Sequence, residues 1–145
     1  MFKRMLIVCT GNICRSPLAE MLLKGMLPNT EVRSAGILTD KSDLVGSRAD
    51  HSMIRIAREL GEDLSLHRAH QLTVEDCIWS DIILVMEPDQ IRFVSDISIE
   101  ARGKTFLLGQ WGEGRINDPF MKSSQHYQTA ATQIQSACQS WQKKL

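Results

Sequence analysis

The apolar run Met5-Leu6-Ile7-Val8 gives way to Cys9-Thr10-Gly11-Asn12-Ile13-Cys14-Arg15-Ser16-Pro17, and this to Leu18-Ala19-Glu20-Met21-Leu22-Leu23. An unbroken apolar run bounded by turn residues reads as a buried strand. The segment after Ser16-Pro17 reads as a helix, with proline at a tolerated first-turn position. A strand, a tight loop and a helix N-terminus therefore follow one another directly. Such a loop gathers main-chain N–H groups at the positive end of a helix, which makes it a site for an anion.

Cys9 opens this loop and Arg15 closes it. A thiol at the mouth of an anion nest is expected to lose its proton readily. A guanidinium six positions further on can hold two oxygens of a phosphoryl group at once. A cation is unfavourable at a helix N-terminus unless an anion joins it, so Arg15 also argues for an occupied nest. The loop must curl to point its N–H groups inward. Asn12 tolerates the left-handed conformation this needs, and Gly11 adds freedom. Ser16 is placed both to cap the helix and to donate to the Cys9 sulfur. Together these residues point to cleavage of a phosphate ester.

Downstream, Thr30–Ser34 is expected as a short second strand ended by Ala35-Gly36, and Ile37–Arg48 as an irregular segment. A helix is expected from Ala49-Asp50-His51-Ser52 through Leu60, stopped by Gly61. Leu66–Gln71 is a connector, and Thr73-Val74-Glu75-Asp76 resembles a cap followed by a short helix. Asp81–Met86 has the unbroken apolar character of a central parallel strand covered on both faces. Pro88–Asp96 is expected as a helix, Gly103–Leu108 as a fourth strand and Gly109–Lys122 as a loop. Ser124–Lys144 is a long helix with Ala130, Ile134, Ala137, Cys138 and Trp141 as its inward stripe. Alternating strands and helices predict an α/β domain with a parallel sheet and helices on both faces. Its site should lie at the carboxyl ends of the strands, where strand order switches.

Composition excludes several classes. A chain of 145 residues, 43% hydrophobic and 23% charged, suits one globular domain, residues 1–145. Lys+Arg and Asp+Glu are both 17, which argues against a nucleic-acid binder with a general basic surface. No apolar run approaches a membrane span, and the run after the basic N-terminus is too short for a signal-peptide core. No membrane insertion and a cytoplasmic location are expected. The four cysteines, Cys9, Cys14, Cys77 and Cys138, are then not a disulfide framework. No histidine has metal-ligand spacing with a cysteine or carboxylate neighbour, so neither metal nor cofactor is expected.

The wording Cys9-Thr10-Gly11-Asn12-Ile13-Cys14-Arg15-Ser16-Pro17 resembles the signature of the low-molecular-weight protein tyrosine phosphatases. Arg33-Ser34-Ala35-Gly36, His67-Arg68-Ala69 and Asp118-Pro119-Phe120 follow in the family's order, so the resemblance covers essentially the whole chain. It implies a flavodoxin-like three-layer fold with a four-stranded parallel sheet in order 2-1-3-4. It implies Cys9 as the nucleophile of a cysteinyl-phosphate intermediate and Arg15 as the clamp on the phosphoryl oxygens. Thr10 to Cys14 and Ser16 then form the phosphate-binding loop, and Ser34 and His67 hydrogen-bond to Asn12 and hold the loop's shape. In many members the second cysteine, here Cys14, forms a reversible disulfide with the nucleophile.

Asp118 matches the general acid. A phenolate leaves with difficulty near neutral pH, since tyrosine's pKa is about 10. A carboxylic acid can protonate it and later deprotonate the attacking water. Glu113 and Asp89 compete on composition alone. Ile13 is expected at the pocket rim. Leu44 stands where many relatives carry a tryptophan wall, and Phe120 where many carry tyrosine. These changes resemble the bacterial subgroup that acts on tyrosine autokinases of capsule or exopolysaccharide export, which implies such a phosphotyrosine protein as partner. Two competing readings are an arsenate reductase of the same fold, which needs two more relay cysteines, and a phosphate-sensing or phosphotyrosine-binding module without turnover.

Overall fold

Alternation along β1 (Arg4–Cys9) divides the molecule into layers. Met5, Ile7 and Cys9 join the core on one side of the sheet, and Leu6 and Val8 join the core on the other. Side chains of a strand point alternately to opposite faces, so a strand apolar at every position must be covered twice. The computed structural model describes residues 2–145. β1 is followed by α1 (Arg15–Met26), β2 (Glu31–Gly36), α2 (His51–Glu59), α3 (Val74–Trp79) and β3 (Ile82–Val85). Then come α4 (Pro88–Ile97), a 3₁₀ turn at Ile99–Ala101, β4 (Thr105–Leu107) and α5 (Ser124–Lys144).

The four strands pair in parallel in the order β2-β1-β3-β4. α1, α2 and α5 supply Leu18, Leu23, Met53, Ile134 and Trp141 to the face that Cys9 shares. α3 and α4 supply Cys77 and Val94 to the other face. Each large aliphatic side chain fully withdrawn from water here stabilises the fold by about 1.5–3 kcal/mol. The chain leaves β1 for β2 on one side and returns to β3 on the other, so the loop after Cys9 sits at the switch in strand order.

Local signals account for most element ends. Asp50 caps α2, accepting from Ser52 N–H at 2.8 Å and Met53 N–H at 3.3 Å. Thr73 and Asp76 form a reciprocal capping box on α3. Gly61, at φ 84°, ends α2 in the left-handed conformation.

Two expectations need correction. β2 runs on through Ala35 and Gly36, because pairing with β1 continues to the register Cys9–Gly36. Helix α1 starts at Arg15, its cap position is Cys14, and no side chain caps it, so Ser16 is free for other work. The inward face of α1 is Leu18, Ala19, Leu22 and Leu23, with Met21 and Met26 only partly covered. Both helices expected between β2 and β3 are present, as α2 and α3. The 3₁₀ turn at Ile99–Ala101 has no periodic signal in so short a segment.

Candidate active site

The loop from Cys9 to Arg15 is held from behind by the side chain of one residue. Asn12 adopts φ 60°, left-handed, and is fully buried. Its amide donates to Ser16 Oγ at 2.8 Å and to Ser34 Oγ at 2.9 Å. Its Oδ1 accepts from His70 N–H at 2.8 Å, and its main-chain carbonyl accepts from His67 Nε2 at 2.7 Å. Four bonds to three separate segments over-determine a conformation that a non-glycine residue rarely adopts alone.

These bonds also orient a proton. Ser16 Oγ lies 2.9 Å from the Cys9 sulfur. Because Ser16 accepts from Asn12, its own hydroxyl proton is directed at the sulfur. Ser34 likewise accepts from Asn12 and donates to Glu20. The Gly11 carbonyl accepts from Thr39 Oγ1 at 2.9 Å. Gly36 lies against the loop so closely that a Cβ there would sit 2.8 Å from the Gly11 carbonyl carbon and 2.9 Å from Asn12 N. Only glycine leaves room for the loop at that strand end.

Arg15 is 1% exposed. Its Nη1 donates to Glu87 Oε2 at 2.8 Å and to the Ile116 carbonyl at 2.7 Å. Its Nη2 donates to Thr10 Oγ1 at 3.2 Å and lies 3.7 Å from Asp118 Oδ2. Burial works against the guanidinium's charge, but Cys9, Asp118 and Glu87 outweigh it and hold its pKa above the ordinary arginine value. Glu87 also accepts from Arg115 through its other oxygen, at 2.6 Å. Gln90, buried, donates to Thr10 Oγ1 at 3.2 Å and accepts from the Met86 and Glu87 N–H groups.

Cys9 and Arg15 form the floor of a cleft of about 330 Å³. Asp118 stands at its side, half-exposed, and Ile13, Leu44 and Phe120 give it apolar walls. Cys14 also faces it. Burial and, after it, the Asp50 carboxylate push that thiol's pKa far up, so Cys14 is a neutral thiol. Neither Glu113 nor Asp89 lines this cleft; Glu113 is engaged by Gln133 at 2.6 Å. Among the described residues no group of three or more His, Cys, Asp or Glu is placed to hold a metal ion.

The structure thus brings together Cys9, Arg15, Ser16, Asp118, Ser34 and His67 around one loop. Sequence reasoning missed Glu87, Gln90, Thr39, Glu20 and Ser42, the last a further lining residue of the cleft. Only Glu87 carried a usable signal, as a carboxylate at the carboxyl end of a central strand, where α/β sites form.

The family profile described as "Low molecular weight phosphotyrosine protein phosphatase" matches residues 4–145. The chain is 41% identical over 145 residues to the low molecular weight protein-tyrosine-phosphatase Etp of Escherichia coli K12, covering 99% of this chain and 95% of Etp. It is similar in structure to Vibrio vulnificus Wzb in complex with benzylphosphonate, with TM-score 0.97, 44% identity and full coverage of both chains. The crystal structure of Erwinia amylovora tyrosine phosphatase AmsI superposes with TM-score 0.94 and 41% identity, covering 100% of this chain and 94% of that one.

Proposed function

Since this chain belongs to the low molecular weight phosphotyrosine protein phosphatase family and is a protein-tyrosine phosphatase, we propose that it works through a cysteinyl-phosphate intermediate formed on Cys9. The observation that carries this reading is the shared cleft: the Cys9 sulfur, the Arg15 guanidinium and the Asp118 carboxyl face one space. In the first step the Cys9 thiolate attacks phosphorus while the bond to the tyrosyl oxygen breaks. Asp118, protonated, gives its proton to that oxygen. In the second step Asp118, now a carboxylate, takes a proton from water as the water oxygen attacks phosphorus. The sulfur leaves as a thiolate, and the Ser16 hydroxyl 2.9 Å away stabilises it.

Arg15 and the N–H groups at the start of α1 bind the phosphoryl oxygens, and bind them more tightly as charge spreads in the transition state. Glu87 and the Ile116 carbonyl occupy Nη1. They fix the plane of the guanidinium before the phosphate arrives, so little order is lost on binding. The apolar walls Ile13, Leu44 and Phe120 suit a tyrosyl ring, whose length carries its phosphate to the floor. Cys77 and Cys138 are both fully buried, in separate cores, which supports a phosphatase over a reductase that relays electrons through accessible thiols.

The test of this mechanism is the leaving group. Asp118→Asn is expected to slow phenyl phosphate by roughly 10²–10⁴-fold, the usual worth of a positioned general acid. The loss on p-nitrophenyl phosphate should be smaller, because nitrophenolate leaves with less help. Glu113→Gln, away from the cleft, should change little. Equal losses on both substrates for Asp118→Asn would assign the residue to binding or structure instead.

The physiological substrate belongs to the same proposal: a cytoplasmic tyrosine autokinase of capsule or exopolysaccharide export. Its support is the pair of replacements Leu44 and Phe120 in the walls. Purified, phosphorylated bacterial autokinase should release phosphate on incubation with the protein. No release, under conditions where p-nitrophenyl phosphate is turned over, would remove the kinase from the proposal.

A further inference from the structure

The turn that carries Asp118 is made of local bonds and is tied, beyond the Arg15 contact, to the Tyr127 hydroxyl. Asp118 Oδ1 accepts from Phe120 N–H at 3.1 Å, and the Pro119 carbonyl accepts from Lys122 N–H at 2.9 Å. Met121 lies between them at φ 61°. A non-glycine residue holds that left-handed conformation only where its surroundings enforce it. The Met121 N–H is directed at the hydroxyl of Tyr127, 3.4 Å away.

Tyr127 is the only tyrosine in the chain, and it is 6% exposed on the inner face of α5. Its hydroxyl donates to Asp50 Oδ2 at 2.8 Å. Asp50 caps α2 with its other oxygen, and its N–H donates to the Ile13 carbonyl at 2.6 Å. One phenol therefore stands between the turn that carries Asp118 and the loop that runs from Cys9 to Arg15. Packing alone does not require the hydroxyl: phenylalanine would fill the same space without a buried polar group to satisfy. Burial, then the Asp50 carboxylate, push the Tyr127 pKa up to about 12, so the hydroxyl remains a donor across the range in which an acidic or neutral reaction runs.

We propose that Tyr127 is a positioning residue for Asp118, holding the Met121 turn against Asp50 and thereby fixing where the carboxyl stands over the Cys9 loop. The inference rests on the reading of Asp118 as general acid. A group that acts only by placing the acid has a distinct signature. Its removal must matter most where the leaving group most needs a proton, and must not matter once the acid is gone.

The experiment is a cycle of Tyr127→Phe and Asp118→Asn, each assayed on phenyl phosphate and p-nitrophenyl phosphate, with inhibition by inorganic phosphate and thermal melting as controls. Tyr127→Phe should lose roughly tenfold in kcat/KM on phenyl phosphate, the scale of one hydrogen bond to a charged group, and distinctly less on p-nitrophenyl phosphate. In the Asp118→Asn background the same change should cost nothing further on either substrate. Inhibition by inorganic phosphate, which depends on the loop and Arg15, should be unchanged. Equal losses on the two substrates, a loss undiminished in the Asp118→Asn background, or full activity on phenyl phosphate in the folded variant would each overturn the positioning role. Should Asp118→Asn itself slow both substrates alike, the general-acid reading falls and this role with it. Should Asp118→Asn be selective while Tyr127→Phe is not, only the positioning role falls.

Discussion

Cys9→Ser should abolish hydrolysis of p-nitrophenyl phosphate, by on the order of 10⁴–10⁶-fold, the scale seen when an enzyme loses its nucleophile. A serine hydroxyl is far less acidic than a thiol, and among the described residues no carboxylate or imidazole is hydrogen-bonded to the Cys9 sulfur to take its proton. The polar neighbour of the sulfur is Ser16, which serves as a donor to it and cannot act as a base. Little else should change. Cys9 is 2% exposed at the end of a fully paired strand, and serine differs from it by one atom. The melting temperature and the affinity for inorganic phosphate should therefore stay close to those of the unmodified protein. Substantial turnover by the purified variant, shown free of wild-type protein, would sink the nucleophile assignment.

Arg15→Lys should be nearly as damaging as Arg15→Ala, at roughly 10³-fold or more in kcat/KM, the lower end of what a transition-state arginine supplies to phosphoryl transfer. The reason is geometric. The guanidinium engages Glu87 and the Ile116 carbonyl on one nitrogen and Thr10 on another, while still facing the cleft. An ammonium is a single point with three donors, so it cannot reach these partners and two phosphoryl oxygens together. A lysine in this 1% exposed position also leaves Glu87 or the Ile116 carbonyl poorly satisfied, which costs about 1–3 kcal/mol of stability. Inhibition by inorganic phosphate should weaken along with kcat, because the clamp serves bound phosphate as well as the transition state. Near-normal kinetics in Arg15→Lys would mean that charge alone, without the fork, is sufficient.

What was legible in the sequence was local. Strand, loop and helix from Met5 to Leu23 are adjacent in the chain, so apolar continuity and the helix-end field act between neighbours. The Thr73–Asp76 capping box and the stop at Gly61 are legible for the same reason. The left-handed Asn12 follows from the curl of a seven-residue loop. The inward stripe of α5 was legible because one helical face repeats over many turns; the structure adds Tyr127 and Ala131 to it.

Everything that sets the site's geometry beyond the loop came from distant pairs. Ile37–Arg48 has no periodicity, yet it delivers Ser42 and Leu44 to the cleft. Ser34 and His67 were identified only by resemblance, because nothing in their own neighbourhoods points at Asn12. Gly36 looked like a strand terminator and is instead a strand residue kept small by the loop above it. Sequence alone determined that this chain has an anion loop opened by a cysteine and closed by an arginine, set on a parallel α/β frame. The tertiary structure decided which carboxylate steadies the arginine and what supports the turn of the acid. Glu87 lies 72 positions from Arg15, and Tyr127 lies 77 from Asp50. Such partners are chosen by strand order and helix packing, and no rule acting between neighbouring residues encodes which distant side chain the folded sheet will bring within 3 Å.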